Sequence, residues 1–144
     1  MLYLAADHRG FQLKEEVKKY LQEKGVFFED LGNKTYDSDD DYSDFGDLVA
    51  EKIKNDSSSR GILICASGIG MSIVANRHKG VRAGLCLSSW MAEAGRRDDD
   101  VNVLVLASEI TDLKTARKII DSFLNTEFSN KERYKRRIDE VERD

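Results

Sequence analysis

The chain has 144 residues, 40% of them hydrophobic and 35% charged, with 23 Lys and Arg against 27 Asp and Glu for a formal net charge of −4. That length suits a single domain, 1–144, with a real core, and the acidic balance excludes the global basicity of a nucleic-acid binder. No stretch approaches the roughly 18 apolar residues of a membrane span, and the N-terminus lacks a basic region followed by a long apolar core, so a cytoplasmic protein without membrane association is expected.

Leu2 to Ala6 is a short apolar run that ends at Asp7-His8-Arg9-Gly10. Leu13, Val17, Tyr20 and Leu21 then follow helical spacing, Gly25 suits a helix C-terminus, and Val26-Phe27-Phe28 predicts a second strand. The polar stretch from Gly32 to Asp44, with its acidic run Asp37 to Asp41, predicts an exposed loop before Phe45, Leu48, Val49 and Ile53 resume helical spacing. Gly61 to Ile64 has the continuous apolar character of a strand buried on both faces; it breaks into Cys65-Ala66-Ser67-Gly68-Ile69-Gly70 before a short helix from Met71 to Asn76. Strands at Val81–Cys86 and Val103–Leu106 alternate with helices at Ser88–Arg97 and Leu113–Leu124. Five strands alternating with helices predict an α/β domain whose parallel five-stranded sheet carries helices on both faces. The charged tail from Asn130 to Asp144 has only the narrow stripe Tyr134, Ile138 and Val141. It therefore leaves two readings open, weak packing on its own domain or docking on a second subunit.

In an open parallel sheet, ligands bind beyond the carboxyl ends of the strands, which singles out the Asp7–Gly10 and Cys65–Gly70 loops. Small residues and two glycines in the second loop suit backbone N–H groups converging on an anion at a helix start; the plain alternative is a glycine turn. The loop lacks the third glycine of a dinucleotide fingerprint, the arginine of a cysteine phosphatase (Met71 stands there) and the aspartate of a receiver domain. What remains is a thiol, Cys65, beside a hydroxyl, Ser67, at a helix N-terminus that favours thiolate, with a small core residue as the alternative. Cys86, inside an apolar run, reads as core, and neither a disulfide nor a zinc site is suggested. His8 beside Asp7 suits a phosphate or sugar hydroxyl, whereas His78 reads as solvated and Trp90 and Tyr3 as packing residues. Arg133 and Arg137 stand one helical turn apart, as a solvated face or as a joint phosphate site.

Taken together and in order, several segments resemble the ribose-5-phosphate isomerase B / galactose-6-phosphate isomerase family: Ala6 to Phe11 with Leu13-Lys14, Gly61 to Ser72, Ala75-Asn76-Arg77, Gly80 to Ala83, Asn102-Val103-Leu104 and Arg133 to Arg137. The resemblance covers essentially the whole chain. It implies a doubly wound, Rossmann-like domain, a homodimer with shared active sites (a tetramer being the larger alternative), and aldose–ketose isomerisation of a sugar phosphate without metal or cofactor. By position, Cys65 would move the proton through an enediolate and Ser67 would assist at the oxygens. The loop from Ala66 through Gly68, Ile69 and Gly70 would stabilise the negative charge, His8, Arg133 and Arg137 would hold phosphate, and Asp7 and Tyr42 would contact the sugar.

Three departures stand out. Asp98-Asp99 replaces the family's His-Asn, so Asp98 occupies the catalytic position credited with ring opening and Asp99 the substrate contact beside it. An aspartate donates a proton at neutral pH only if burial raises its pKa, though it can accept one. Glu109 stands where an arginine commonly grips phosphate, and Tyr134 where histidine is usual. The expected activity is ribose 5-phosphate to ribulose 5-phosphate; the alternatives are another pentose or hexose phosphate, or a noncatalytic sugar-phosphate-binding subunit.

Overall fold

The computed structural model describes residues 1–143, leaving Asp144 of the tail outside it. The elements follow in the order β1 (Leu2–Ala6), α1 (Phe11–Glu23), β2 (Glu29–Asp30), α2 (Tyr42–Lys54), β3 (Arg60–Cys65), α3 (Ile69–Asn76), β4 (Ala83–Leu85), α4 (Ser89–Asp99), β5 (Val103–Ala107), α5 (Leu113–Asn125) and α6 (Glu132–Val141). All strand pairs are parallel and the sheet order is β2-β1-β3-β5-β4. This is the parallel five-stranded sheet that the alternation of elements implies, in the doubly wound, Rossmann-like form that the family resemblance implies.

Alternate residues of the central strands enter two cores. Leu4, Ala6, Ile62, Ile64, Leu104 and Leu106 pack with α1, α4 and α5 on one face, while Ala5, Leu63, Cys65, Val103 and Val105 pack with α2 and α3 on the other. Both faces are apolar because both are covered, which is why these strands read as continuous hydrophobic runs. On α5, Ile119, Ile120 and Phe123 are fully buried, each contributing about 1.5–3 kcal/mol. Among the described residues no helix is long and apolar enough to cross a membrane.

The second strand lies later than its apolar run. Val26 donates its N–H to the Leu21 carbonyl and Gly25, at φ 71°, donates to Gln22, a glycine-terminated helix end that commits Val26 to capping α1. Phe27 is consequently 88% exposed. Pairing with β1 starts at Glu29, where Lys14, fully buried, holds both Asp30 carboxylate oxygens at 2.8 Å. Leu48 and Trp90 also differ from expectation, both standing exposed on their helices. Helix α6 has no buried residue; it touches its own chain through α4 and through Glu142, which accepts from Arg82 Nη1 at 2.9 Å.

Candidate active site

The chain places β2 outside β1 on one side, then crosses to β3 on the other side of β1, goes on to β4 at the far edge and returns to insert β5 between β3 and β4, so the β1/β3 boundary is the switch point where an open α/β sheet leaves a crevice. The Asp7–Gly10 and Ala66–Gly68 loops emerge there side by side. Gly10 is required by this closeness: a Cβ on it would stand 2.4 Å from the Ile64 carbonyl oxygen. Ser108, following β5, stitches the loops together, its Oγ donating to the carbonyls of Arg9 at 2.8 Å and Cys65 at 3.2 Å.

Cys65 ends β3 with 5% exposure, beside the backbone N–H groups of Met71, Gly68 and Ser67, which favour its thiolate. Burial nevertheless pushes the thiol above its usual range, and the nearby Asp7 carboxylate pushes the same way, outweighing the amides. The expected thiolate bias is thus reversed, because desolvation of the anion exceeds the helix-terminus effect. Ser67 is exposed and its Oγ accepts the Ile69 N–H at 3.2 Å. Gly68 takes φ 77°, turning the loop into α3, while the Tyr42 ring lies so close to Gly70 that a Cβ there would sit 2.7 Å from it. Asp7 is buried and accepts from the N–H groups of Arg9 and Gly10, both at 3.0 Å; burial raises its carboxyl against those bonds.

His8 and the acidic loop meet in a way the sequence does not announce. Oδ1 of Asp40 lies 2.8 Å from His8 Nδ1 and accepts the His8 main-chain N–H at 2.9 Å, while Asn33 Nδ2 donates to Oδ2 at 3.2 Å. Most of the acidic run is exposed as expected, but the Asp40 side chain is only 6% exposed. An acidic run carries no local signal that one member turns inward.

His78, expected to be solvated, is instead 17% exposed and lies between Asp47 and Glu51 of α2, with nitrogen–oxygen separations of 2.8 and 3.2 Å. Cys86 is buried and its thiol is pushed up to about 11, in keeping with a core residue. Glu109 lies across from Arg9, whose Nη2 donates to its Oε1 at 2.6 Å, joining the β1 and β5 loops at the rim.

The remaining candidates lie elsewhere on the chain. Helix α4 leads away from the carboxyl edge of the sheet for 11 residues, roughly 16 Å at the usual rise, so Asp98 and Asp99 sit at the amino edge. Asp98 is held by Arg97 Nε at 2.9 Å, and that hydrogen bond keeps its carboxyl below the usual range despite partial burial. The hydrogen bond thus favours the ionised form of Asp98. Arg133 and Arg137 stack on the Tyr134 ring, with guanidinium carbons 5.0 and 5.7 Å from its centroid. Asp99 and Arg137 line one groove of about 560 Å³ with Arg77, Lys79 and Arg82. The structure thus brings Asp7, His8, Tyr42 and Cys65 to Gly70 together, and places Asp98, Asp99, Arg133 and Arg137 in a second group at the other end. Among the described residues, no group of three or more His, Cys, Asp or Glu side chains is placed to hold a metal ion.

The sequence and the fold recur in known proteins. The Ribose/Galactose Isomerase family model matches residues 2–141. A probable ribose-5-phosphate isomerase B of Mycoplasma genitalium is 41% identical over 141 residues, covering 97% of this chain and 92% of that protein. The ribose-5-phosphate isomerase B of Escherichia coli is 35% identical over 136 residues, covering 94% and 89%. The crystal structure of the Mycoplasma genitalium enzyme with bound ribulose-5-phosphate superposes with a TM-score of 0.93 at 40% identity, covering 98% of this chain and 93% of that one. A Thermotoga maritima ribose 5-phosphate isomerase does so with a TM-score of 0.93 at 41% identity, covering 98% and 96%. With sequence and fold matched from end to end, the chain belongs to the Ribose/Galactose Isomerase family.

Proposed function

We propose that this protein interconverts ribose 5-phosphate and ribulose 5-phosphate. The observation that carries the proposal is the buried Cys65 thiol, which ends β3 at the glycine turn into α3, at the switch point of a sheet matched throughout by ribose-5-phosphate isomerases. As thiolate, Cys65 takes the proton from C2 of the open-chain aldose, leaving an enediolate, and returns it to C1. Ser67 shuttles the hydroxyl proton between O1 and O2. A carbon acid beside a carbonyl is weak, so the loop N–H groups from Ala66 to Gly70 must stabilise the developing oxyanion, a contribution of several kcal/mol in related chemistry, about 3–4 per strong donor. Asp7 and Tyr42 contact sugar hydroxyls, and His8 meets the phosphate.

A second copy of the chain completes this site. Asp98, Asp99, Arg133 and Arg137 cannot reach Cys65 within one chain, but in a homodimer of this fold the α4/α6 end of one protomer is supplied to the carboxyl edge of the other. The sparse contacts of α6 support this, as do the apolar hollow beside Ser67, lined by Ile69, Leu87 and Ile110, and the 70% exposure of Trp90. Arg133 and Arg137 then hold phosphate, Asp99 touches substrate, and Asp98 accepts the proton of the anomeric hydroxyl as the furanose opens.

Turnover of ribose 5-phosphate by the purified protein, beside Cys65→Ser and a panel of other sugar phosphates, tests the reading. Loss of a general base costs about 10²–10⁴-fold in kcat. Turnover confined to another sugar moves the substrate, and an inert wild type that still binds sugar phosphate makes the chain a binding subunit.

A further inference from the structure

The Asp40 carboxylate is the one acidic-loop group that turns in toward the crevice, and it spends one oxygen on a single residue. Its Oδ1 engages both the main-chain N–H and Nδ1 of His8, and its Oδ2 is tied to Asn33. Asn33 in turn is anchored through its carbonyl by the buried Lys14, at 2.7 Å. The carboxylate is therefore fixed, and a fixed acceptor decides which imidazole nitrogen bears the proton. Nδ1–H donates to Asp40, and Nε2, without a hydrogen-bond partner among the described residues, is the nitrogen left for a ligand. Tyr36 closes one side, its ring edge-on to the imidazole with centroids 6.5 Å apart.

We propose that Asp40 is a positioning residue for His8, holding the ring through Nδ1 so that Nε2–H is presented as a charged donor to the phosphate of the substrate. This rests on the reading of the crevice as a sugar-phosphate site. The groups facing the imidazole are Asp40 from the acidic loop, Asp7 and Arg9 from its own turn, and the Tyr36 ring. The Asp40 hydrogen bond is the largest influence and Asp7 adds to it, so together they hold the imidazole above its usual range against desolvation and Arg9. An imidazolium donates from both nitrogens and carries the charge a phosphate dianion needs, whereas a neutral imidazole ordinarily prevails above about pH 6.5.

The test combines NMR titration of the His8 ring with steady-state kinetics on the full-length wild type, Asp40→Asn, Asp40→Glu and His8→Gln. The His8 midpoint should fall in Asp40→Asn and recover in part in Asp40→Glu. Inorganic phosphate added near pH 7.5 should shift the His8 resonances of wild type more than those of Asp40→Asn. With ribose 5-phosphate, KM at pH 7.5 should rise about three- to tenfold in Asp40→Asn with a smaller change in kcat. That gap should close by pH 6, where both imidazoles are charged, and should vanish in a His8→Gln background. An unchanged His8 midpoint, or a KM penalty equal at both pH values or persisting without His8, overturns the proposal. Absence of wild-type turnover would instead sink the isomerase reading, while the titration would still decide the Asp40–His8 coupling.

Discussion

Gly68→Ala separates backbone strain from packing at the loop that shapes the candidate site. Gly68 has φ 77°, and a Cβ added there would stand 2.5 Å from Leu85 Cδ1 and 3.3 Å from Val105 Cγ1. The left-handed conformation costs an L-residue about 1–2 kcal/mol. Crowding adds about 1–3 kcal/mol, because Leu85 can swing its tip while Val105 sits fully buried on the central β5. The total of about 2–5 kcal/mol corresponds to a fall of roughly 6–15 °C in Tm for a domain of this size. Gly80→Ala supplies the control: φ is 84° there, but no atom lies within 4 Å of the added Cβ, so only strain applies. That variant should lose about 1–2 kcal/mol. Urea and thermal unfolding of both variants measure the two terms, and turnover is measured at a temperature where each is folded. Gly68→Ala should lose activity beyond its loss of folded fraction, since the displaced turn moves the N–H groups around Cys65; Gly80→Ala should not. Equal destabilisation of the two variants, or full activity in folded Gly68→Ala, would refute the reasoning.

Two further outcomes follow from the site. Because burial raises the Cys65 thiol, its protonated form persists to higher pH, so iodoacetamide labelling and kcat/KM should both climb through an inflection above the ordinary thiol value of about 8.5; Cys86, pushed up to about 11, should label later, and an inflection below that of a free thiol would refute the burial argument. If two chains share each site, mixing inactive Cys65→Ser with inactive Arg133→Ala/Arg137→Ala and allowing exchange should restore about a quarter of wild-type activity, since half the dimers are hybrids and each hybrid has one intact site. No recovery despite demonstrated exchange would place both groups of residues outside a common site.

The sequence by itself determined the α/β alternation, the doubly covered sheet and the loop from Cys65 to Gly70. Those features are written in local periodicity and in glycines at turns, which act over a few residues: Leu13, Val17, Tyr20 and Leu21 are all buried on α1 as their spacing requires. Local pattern misplaced β2, because the apolar Val26–Phe28 run reads as strand while capping of α1 and the Lys14–Asp30 pairing decide where the ladder begins. It also assigned a thiolate bias to Cys65 from the helix start alone, whereas the balance of desolvation against N–H donors exists only once the two cores close around the sulfur. Asp40 stands 32 residues from His8 in the chain, and no spacing rule connects them; chain closure over β1 does. Tertiary structure likewise decided that α4 carries Asp98 and Asp99 to the far edge of the sheet from Cys65. A helix of fixed rise antiparallel to its strand must deliver its last residues to the opposite end, and so the residues that resemblance gathers into one site are divided by the fold between two.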